Sequence, residues 1–292
     1  MNLKSWALFT VLLKHYQPQA NPASLLAYLT PTDAQQPLSK VPIVTNLATL
    51  LPSPEGWITN IHYSWLLLIL QRQPKSLWPL FIATLPPLQM NRLCTMLKEK
   101  PPTFTLAPSI KTFFLQILFN SLQEANILPI EFLLPSSYAS LLNMAKEELV
   151  TLISYLGIHD LASATKQIVD RKIRDRIDKA LSVNKQKFLK LCLHKQAVVL
   201  SPKLSLQYWE GGAAEMEKIL HQRGLTRLGF ALSQESPSFI WAVAHKLDTG
   251  RGEQLVKLAA QAHPASVIEA LKAQVIELTQ VITQTTTSQE AL

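Results

Sequence analysis

From residue 62 onward, apolar positions fall into runs of about ten residues cut by prolines. Proline removes a backbone donor and clashes with the preceding turn, so this pattern predicts short helices. One runs from Tyr63 to Gln73, a break follows at Pro74, and a second runs from Ser76 to Leu85. Pro86 and Pro87 stop it, and a third covers Leu88 to Lys98 before Pro101 and Pro102. Between 109 and 124, Ile110, Phe113, Phe114, Ile117 and Leu118 recur at helical spacing and predict one apolar face. Ser136 or Ser137 then caps a helix that Gly157 stops. Asp160 caps a long basic helix to Leu181, with Ile168, Val169, Ile173, Ile177 and Leu181 as its apolar stripe. A turn at 208–212 leads into the last helices, and TTTSQEAL reads as a frayed tail.

The pattern is weaker at the start of the chain. The apolar run from Trp6 to Leu13 lacks a small-residue cleavage site and reads as a short buried helix, not a signal peptide. Residues 17–60 read as short helices joined by ordered loops. Only VPIVT at 41–45 and AVVLS at 197–201 have β-branched character, and neither is bounded as a hairpin. The expected fold is all-α: a right-handed or armadillo-like stack of short helices. Sixteen of nineteen prolines lie at or before Pro135. The division predicted is therefore a Pro-rich N-terminal helical domain (1–135), a C-terminal helical domain with the basic helix (136–285) and a tail (286–292).

A repeat supports two related three-helix units within this fold. Sliding the chain by 162 residues pairs Leu66 with Leu228, Leu70 with Leu232, Ser76 with Ser238, Leu85 with Leu247 and Leu93 with Leu255. Each copy runs helix, proline break (Pro74 or Pro237), apolar helix ending in Leu, stop, and a further helix.

Composition narrows the class. At 292 residues, 48% hydrophobic and 16% charged, the chain has material for about two domains with apolar interfaces and is not a disordered chain. Two cysteines a hundred residues apart exclude a disulfide framework and fit a reducing compartment. The longest core run, WLLLIL at 65–70, is far short of a membrane span, so the protein is expected to be soluble and cytoplasmic.

The stretch SFIWAVAHKLDTGRGEQLVKL admits several chemistries. An aspartic protease needs two carboxylates sharing a proton on strand-fed loops, whereas DTG occurs once, after a helical pattern. A phosphate site would use free helix-start amides plus Arg251, yet no GxxxxGK[ST] is present and glycine is scarce. The plainer reading makes Asp248 a helix N-cap, with Gly250 and Gly252 letting the helix start lie close to a neighbouring backbone. Seven scattered histidines and the isolated Cys192/His194 pair do not form a zinc set, and no GxSxG or HExxH occurs. No cofactor or metal is expected, and the protein reads as a non-enzyme.

The net charge of +8 is concentrated at 166–195, which holds ten basic and three acidic residues. Arg171, Lys172, Arg174, Arg176 and Lys179 crowd two turns, with Lys187 beyond them. Asp170, Asp175 and Asp178 offer partners one turn away, so an ion-paired solvated face is one reading. The other is a docking face for an acidic protein or a membrane surface. Nucleic acid is the less favoured ligand, because the segment has one aromatic, Phe188, for stacking. An anion-dependent enzyme built on Asp248 and Arg251 is a further alternative.

The Leu85-Pro86-Pro87 turn with Leu93 resembles the repeating motif of FliG-type rotor proteins. The runs ELVTLISYLGIHDLA at 148–162 and RGLTRLGFALSQESPSFIWAVAHKLDTGRGEQL resemble FliG-like, SctK-type accessory proteins of type III secretion machines. This resemblance, over residues 62–98 and 140–260, implies a non-enzymatic adaptor at the cytoplasmic face of the inner membrane. It would link the membrane ring's cytosolic domain to the sorting platform and its ATPase complex, with only peripheral membrane contact.

Overall fold

The computed structural model describes residues 54–122, 127–194 and 209–290, residues 198, 200 and 202–206 of the intervening segment, and positions 8 and 11; side chains of the last helix are described to residue 284. The expected helices at 6–13 and 17–53 and the VPIVT segment lie outside these residues, the isolated positions 8 and 11 and the later turns aside. The described residues are all-α, with thirteen α-helices, two single 3-10 turns and no strand among them. Val198 and Leu200, the described part of AVVLS, belong to no strand. The chain divides into two units, one within 1–135 and one within 136–292.

The first unit contains α1 (Pro54–Thr59), α2 (Tyr63–Gln71), α3 (Trp78–Ala83), α4 (Pro87–Leu97) and α5 (Pro108–Leu122). Pro79 and Pro87 sit in the first turns of α3 and α4, where a missing N–H costs nothing. Two buried polar groups tie the short pieces together. Trp78 Nε1 donates to the carbonyls of Leu70 at 2.8 Å and Gln73 at 3.1 Å, satisfying the end of α2. Gln89 Nε2 donates to Ile58 and Ile61 carbonyls, both at 2.7 Å, pinning the α1–α2 turn to α4. The face of α5 is rotated from the one expected. Phe114, Leu115, Leu118 and Leu122 are buried, whereas Phe113 is 61% and Ile110 44% exposed. Phe114 meets Phe81 edge-on at 4.8 Å, and that contact sets which side of α5 turns inward.

The second unit contains α6 (Ala139–Asn143), α7 (Lys146–Thr165), α8 (Arg171–Ala180), α9 (Val183–His194), α10 (Ala213–Ala231), α11 (Pro237–Lys246), α12 (Thr249–Ala259) and α13 (Ala265–Glu290). Its axis is α7, buried along most of its second half and packed by α9, α10 and α13. Two expectations fail here for one reason. Gly157 does not stop a helix and Asp160 does not cap one, because both lie inside α7. A Cβ on Gly157 would sit 2.0 Å from the Leu220 carbonyl oxygen, and one on Gly224 would sit 1.7 Å from that of Ile153. These glycines let the backbones of α7 and α10 touch, a packing role compatible with helical geometry. The basic helix accordingly begins at Arg171 under the cap of Asp170, and Val169, expected in its apolar stripe, is 92% exposed. The helical backbone of α13 continues through Glu290, into the stretch read as a tail.

At the 162-residue offset α4 and α12 coincide at both ends. The leucine pairs 66/228, 70/232, 85/247 and 93/255 are all buried. Within each unit the third helix packs on the two before it, α4 on α2 and α3, and α12 on α10 and α11.

Gly157→Ala or Gly224→Ala is expected to destabilise the protein by on the order of 3 kcal/mol or more, outweighing about 1 kcal/mol of gained helix propensity. Gly250→Ala, which meets only its own cap residue Asp248 at 3.6 Å, is expected to be neutral or mildly stabilising. Urea unfolding of the three variants checks both.

Candidate functional site

The basic segment is held by α8 from beneath. Ile177 is buried and Ile173 packs against the core cluster that includes Ile158, Leu161 and Leu220. Asp170 Oδ1 accepts from the Lys172 amide at 2.8 Å, fixing the start. Lys172, Arg176 and Lys179, at i, i+4 and i+7, form one stripe, with Arg171 and Arg174 to its side. All five are exposed. Arg174 donates its Nε and Nη2 to the Ile168 carbonyl, so its guanidinium also braces the turn before α8. Arg176 lies along Gly211, whose φ of 103° needs glycine and whose added Cβ would stand 3.2 Å from the Arg176 Cδ. Among the described residues, Arg171, Lys172, Arg176 and Lys179 form no ion pair, although Asp175 and Asp178 are on the same helix. Lys187 is exposed on α9, which is joined to α8 by Gln186 Nε2 donating to Asp178 and Leu181 carbonyls at 2.6 and 3.0 Å. Lys185 is used internally, on Glu217 at 2.5 Å.

The 248–252 turn is a helix start. Asp248 Oδ1 accepts from the Arg251 amide at 3.2 Å, and Arg251 Nη1 is 3.0 Å from Asp248 Oδ2. The carboxylate thus occupies both an amide and the guanidinium that an incoming anion would need. A Cβ on Gly250 would meet only Asp248 Oδ1, at 3.6 Å, so this glycine makes no close backbone approach, contrary to the sequence expectation.

Three features escaped sequence reasoning. Asp160 forms a buried network with two arginines of α10. Arg223 Nε donates to Asp160 Oδ2 at 2.6 Å, and Arg227 Nη2 donates to Asp160 Oδ1 at 2.5 Å and to the Val198 carbonyl at 2.6 Å. Arg227 Nη1 donates to Gln274 Oε1 of α13 at 2.8 Å. Arg227 is fully buried, and burial lowers its pKa while Asp160 opposes that shift. The pattern R-x-x-x-R on a helix otherwise apolar at those positions was the available signal. Secondly, Cys192 Sγ lies 3.7 Å from His159 Nδ1 on α7. Cys192 is only 1% exposed, and both cysteines are free thiols. Thirdly, α7, α9 and α13 enclose an open groove of about 810 Å³ with apolar walls.

Buried titratable groups lie in α10 and α11. His245 stacks on Trp241 at 3.8 Å and its Nδ1–H donates to the Trp241 carbonyl at 2.9 Å. Burial pushes its pKa down to about 4, and burial does the same to His221, helped by Arg251. Lys246 Nζ donates to the carbonyls of Leu142 and of Met144, and burial lowers its pKa to about 8. No group of three or more His, Cys, Asp or Glu side chains among the described residues could hold a metal ion, and no described helix is long and apolar enough to cross a membrane. Comparison of the chain with protein-family models, curated proteins and solved structures returned no match.

Asp160→Ala leaves the buried Arg227 and the half-buried Arg223 without their carboxylate and is expected to cost about 3–5 kcal/mol in chemical denaturation. Histidines held neutral in the fold charge on unfolding below their ordinary pKa of about 6.5, so their contribution is present above that value and lost as the pH falls towards 4. Stability measured by urea titration should therefore fall from pH 6.5 to 4, and His245→Gln should flatten the slope by up to about 1.4 kcal/mol per pH unit.

Proposed function

We propose that this chain is a non-enzymatic protein-binding adaptor that docks an acidic partner on the exposed face of α8. The observation that carries this reading is the stripe of Lys172, Arg176 and Lys179, which forms no ion pair among the described residues. An ion-laced solvated helix would place Asp175 and Asp178 on these cations, and the described side chains are not so arranged. Ile173 and Ile177 hold α8 to the core, so the cations are presented from a fixed helix. Fixing them beforehand reduces the ordering cost of binding.

The resemblance of residues 62–98 and 140–260 to SctK-type accessory proteins gives the partner. In that setting α8 meets the cytosolic domain of the inner-membrane ring or the sorting-platform protein, and the chain bridges the ring to the ATPase complex. The cytoplasmic location belongs to the same proposal.

Charge reversal of Lys172, Arg176 and Lys179 to Glu is expected to weaken recovery of these partners in pull-downs by at least about tenfold while leaving the melting temperature within a few degrees. Unchanged recovery removes the docking role. Tight, steeply salt-dependent binding to a DNA or RNA duplex that the same substitutions abolish would replace it with nucleic-acid recognition.

A further inference from the structure

The groove between α7, α9 and α13 belongs to the second unit and is independent of the α8 stripe. Its floor contains buried Leu278 and Cys192, and the rings of Tyr155 and Phe188, 5.2 Å apart and edge-on, form part of its wall. Leu191 and Val281, 62% and 54% exposed, stand among its lining residues. Large aliphatic side chains in that position leave apolar surface in water until something covers it. The polar part of the lining is Glu147, Glu148 and Thr151 from α7, Asn184 and His194 from α9, and Glu277 from α13, with no Lys or Arg. Glu148 Oε2 accepts from the Ala145 amide at 2.7 Å, which fixes that carboxylate at the α7 end of the groove.

We infer that this groove receives an amphipathic helix of a partner protein, with aliphatic anchors on one face and lysine or arginine beside them. Three helices bounding an open apolar channel match the helix-in-groove mode, in which anchors at i, i+3 or i+4, and i+7 enter the channel. The glutamates set the sign of the flanking charge. An acidic helix or a fatty-acid carboxylate would meet the like-charged Glu147 and Glu148 at the α7 end, whereas a basic helix complements them. The chain then carries two docking chemistries in one unit: cations on α8 for an acidic surface, and an acid-rimmed apolar groove for a basic helix.

The test uses the full chain and two fluorescein-labelled synthetic helical peptides of 18 residues, identical in their leucine anchors and flanked by lysine in one and glutamate in the other. Fluorescence anisotropy near 0.15 M salt is expected to show binding of the lysine peptide at least about tenfold tighter than the glutamate peptide. Leu191→Asp should weaken it by a similar factor, and E147K should remove the preference for the lysine peptide. Leu191 and Glu147 are exposed, and thermal melts of the variants check the fold. Equal binding of both peptides, no binding of either, or indifference to Leu191→Asp overturns the inference. So does saturation of the groove by an uncharged solvatochromic dye without peptide binding, or a concentration-dependent dimer in sedimentation that Leu191→Asp disperses, since the occupant is then a small molecule or a second copy. Charge reversal on α8 should leave peptide affinity unchanged, which separates failure here from failure of the adaptor reading.

Discussion

The second unit depends on the approach of two backbones at Gly157 and Gly224. Helix pairs ordinarily keep their axes 8–10 Å apart because side chains stand between them. Here the facing positions have none, and each carbonyl occupies the place of the other helix's missing Cβ. The closeness has two effects. It buries the second half of α7 on most sides, which is why polar His159 and Asp160 appear among its buried residues. It also brings Asp160 within reach of Arg223 and Arg227, whose helix runs alongside.

That network shows how a charge survives in such a place. Asp160 is 2% exposed at its side chain and accepts from two guanidiniums, while Arg227 gives its remaining donors to Val198 and Gln274. Neither charge is left alone, so desolvation is offset by several charge-assisted hydrogen bonds. The network ties α7, α10, α13 and the segment at 198 to one point. The same frame carries the exposed surfaces. On α9, Leu191 lines the groove, and Lys187, one turn before it, is exposed on the same side of the helix.

Proline and apolar spacing made the all-α class and the α2, α3 and α4 boundaries legible, because Pro stops a helix whatever its tertiary surroundings. Asp248 as a cap was legible too, since the Asp followed an apolar helix and preceded a second one. Gly157 and Asp160 were misread by the same local logic. Glycine marks a helix end and aspartate a helix start in sequence, yet both also serve where a neighbouring helix presses close or supplies arginines. That neighbour, α10, lies some sixty residues away along the chain, beyond any local pattern. The rotation of α5 has the same origin: Ile110 and Phe113 satisfy helical spacing as well as Phe114 and Leu118 do, and only the position of Phe81 decides between them. The groove was invisible because its walls come from three helices, each of which reads as ordinary amphipathic sequence.

The glycine crossing also has a consequence for kinship. Most core positions of α7 and α10 tolerate exchange among aliphatic side chains of similar volume, so sequence similarity there can erode while the fold persists. Positions 157 and 224 have no such latitude, since any side chain at either must push the helices apart and break the contacts of Asp160. Distant relatives of this chain should therefore be traceable by a coupled pair of glycines with an aspartate and an arginine each three residues further on, even where little else of the sequence has survived.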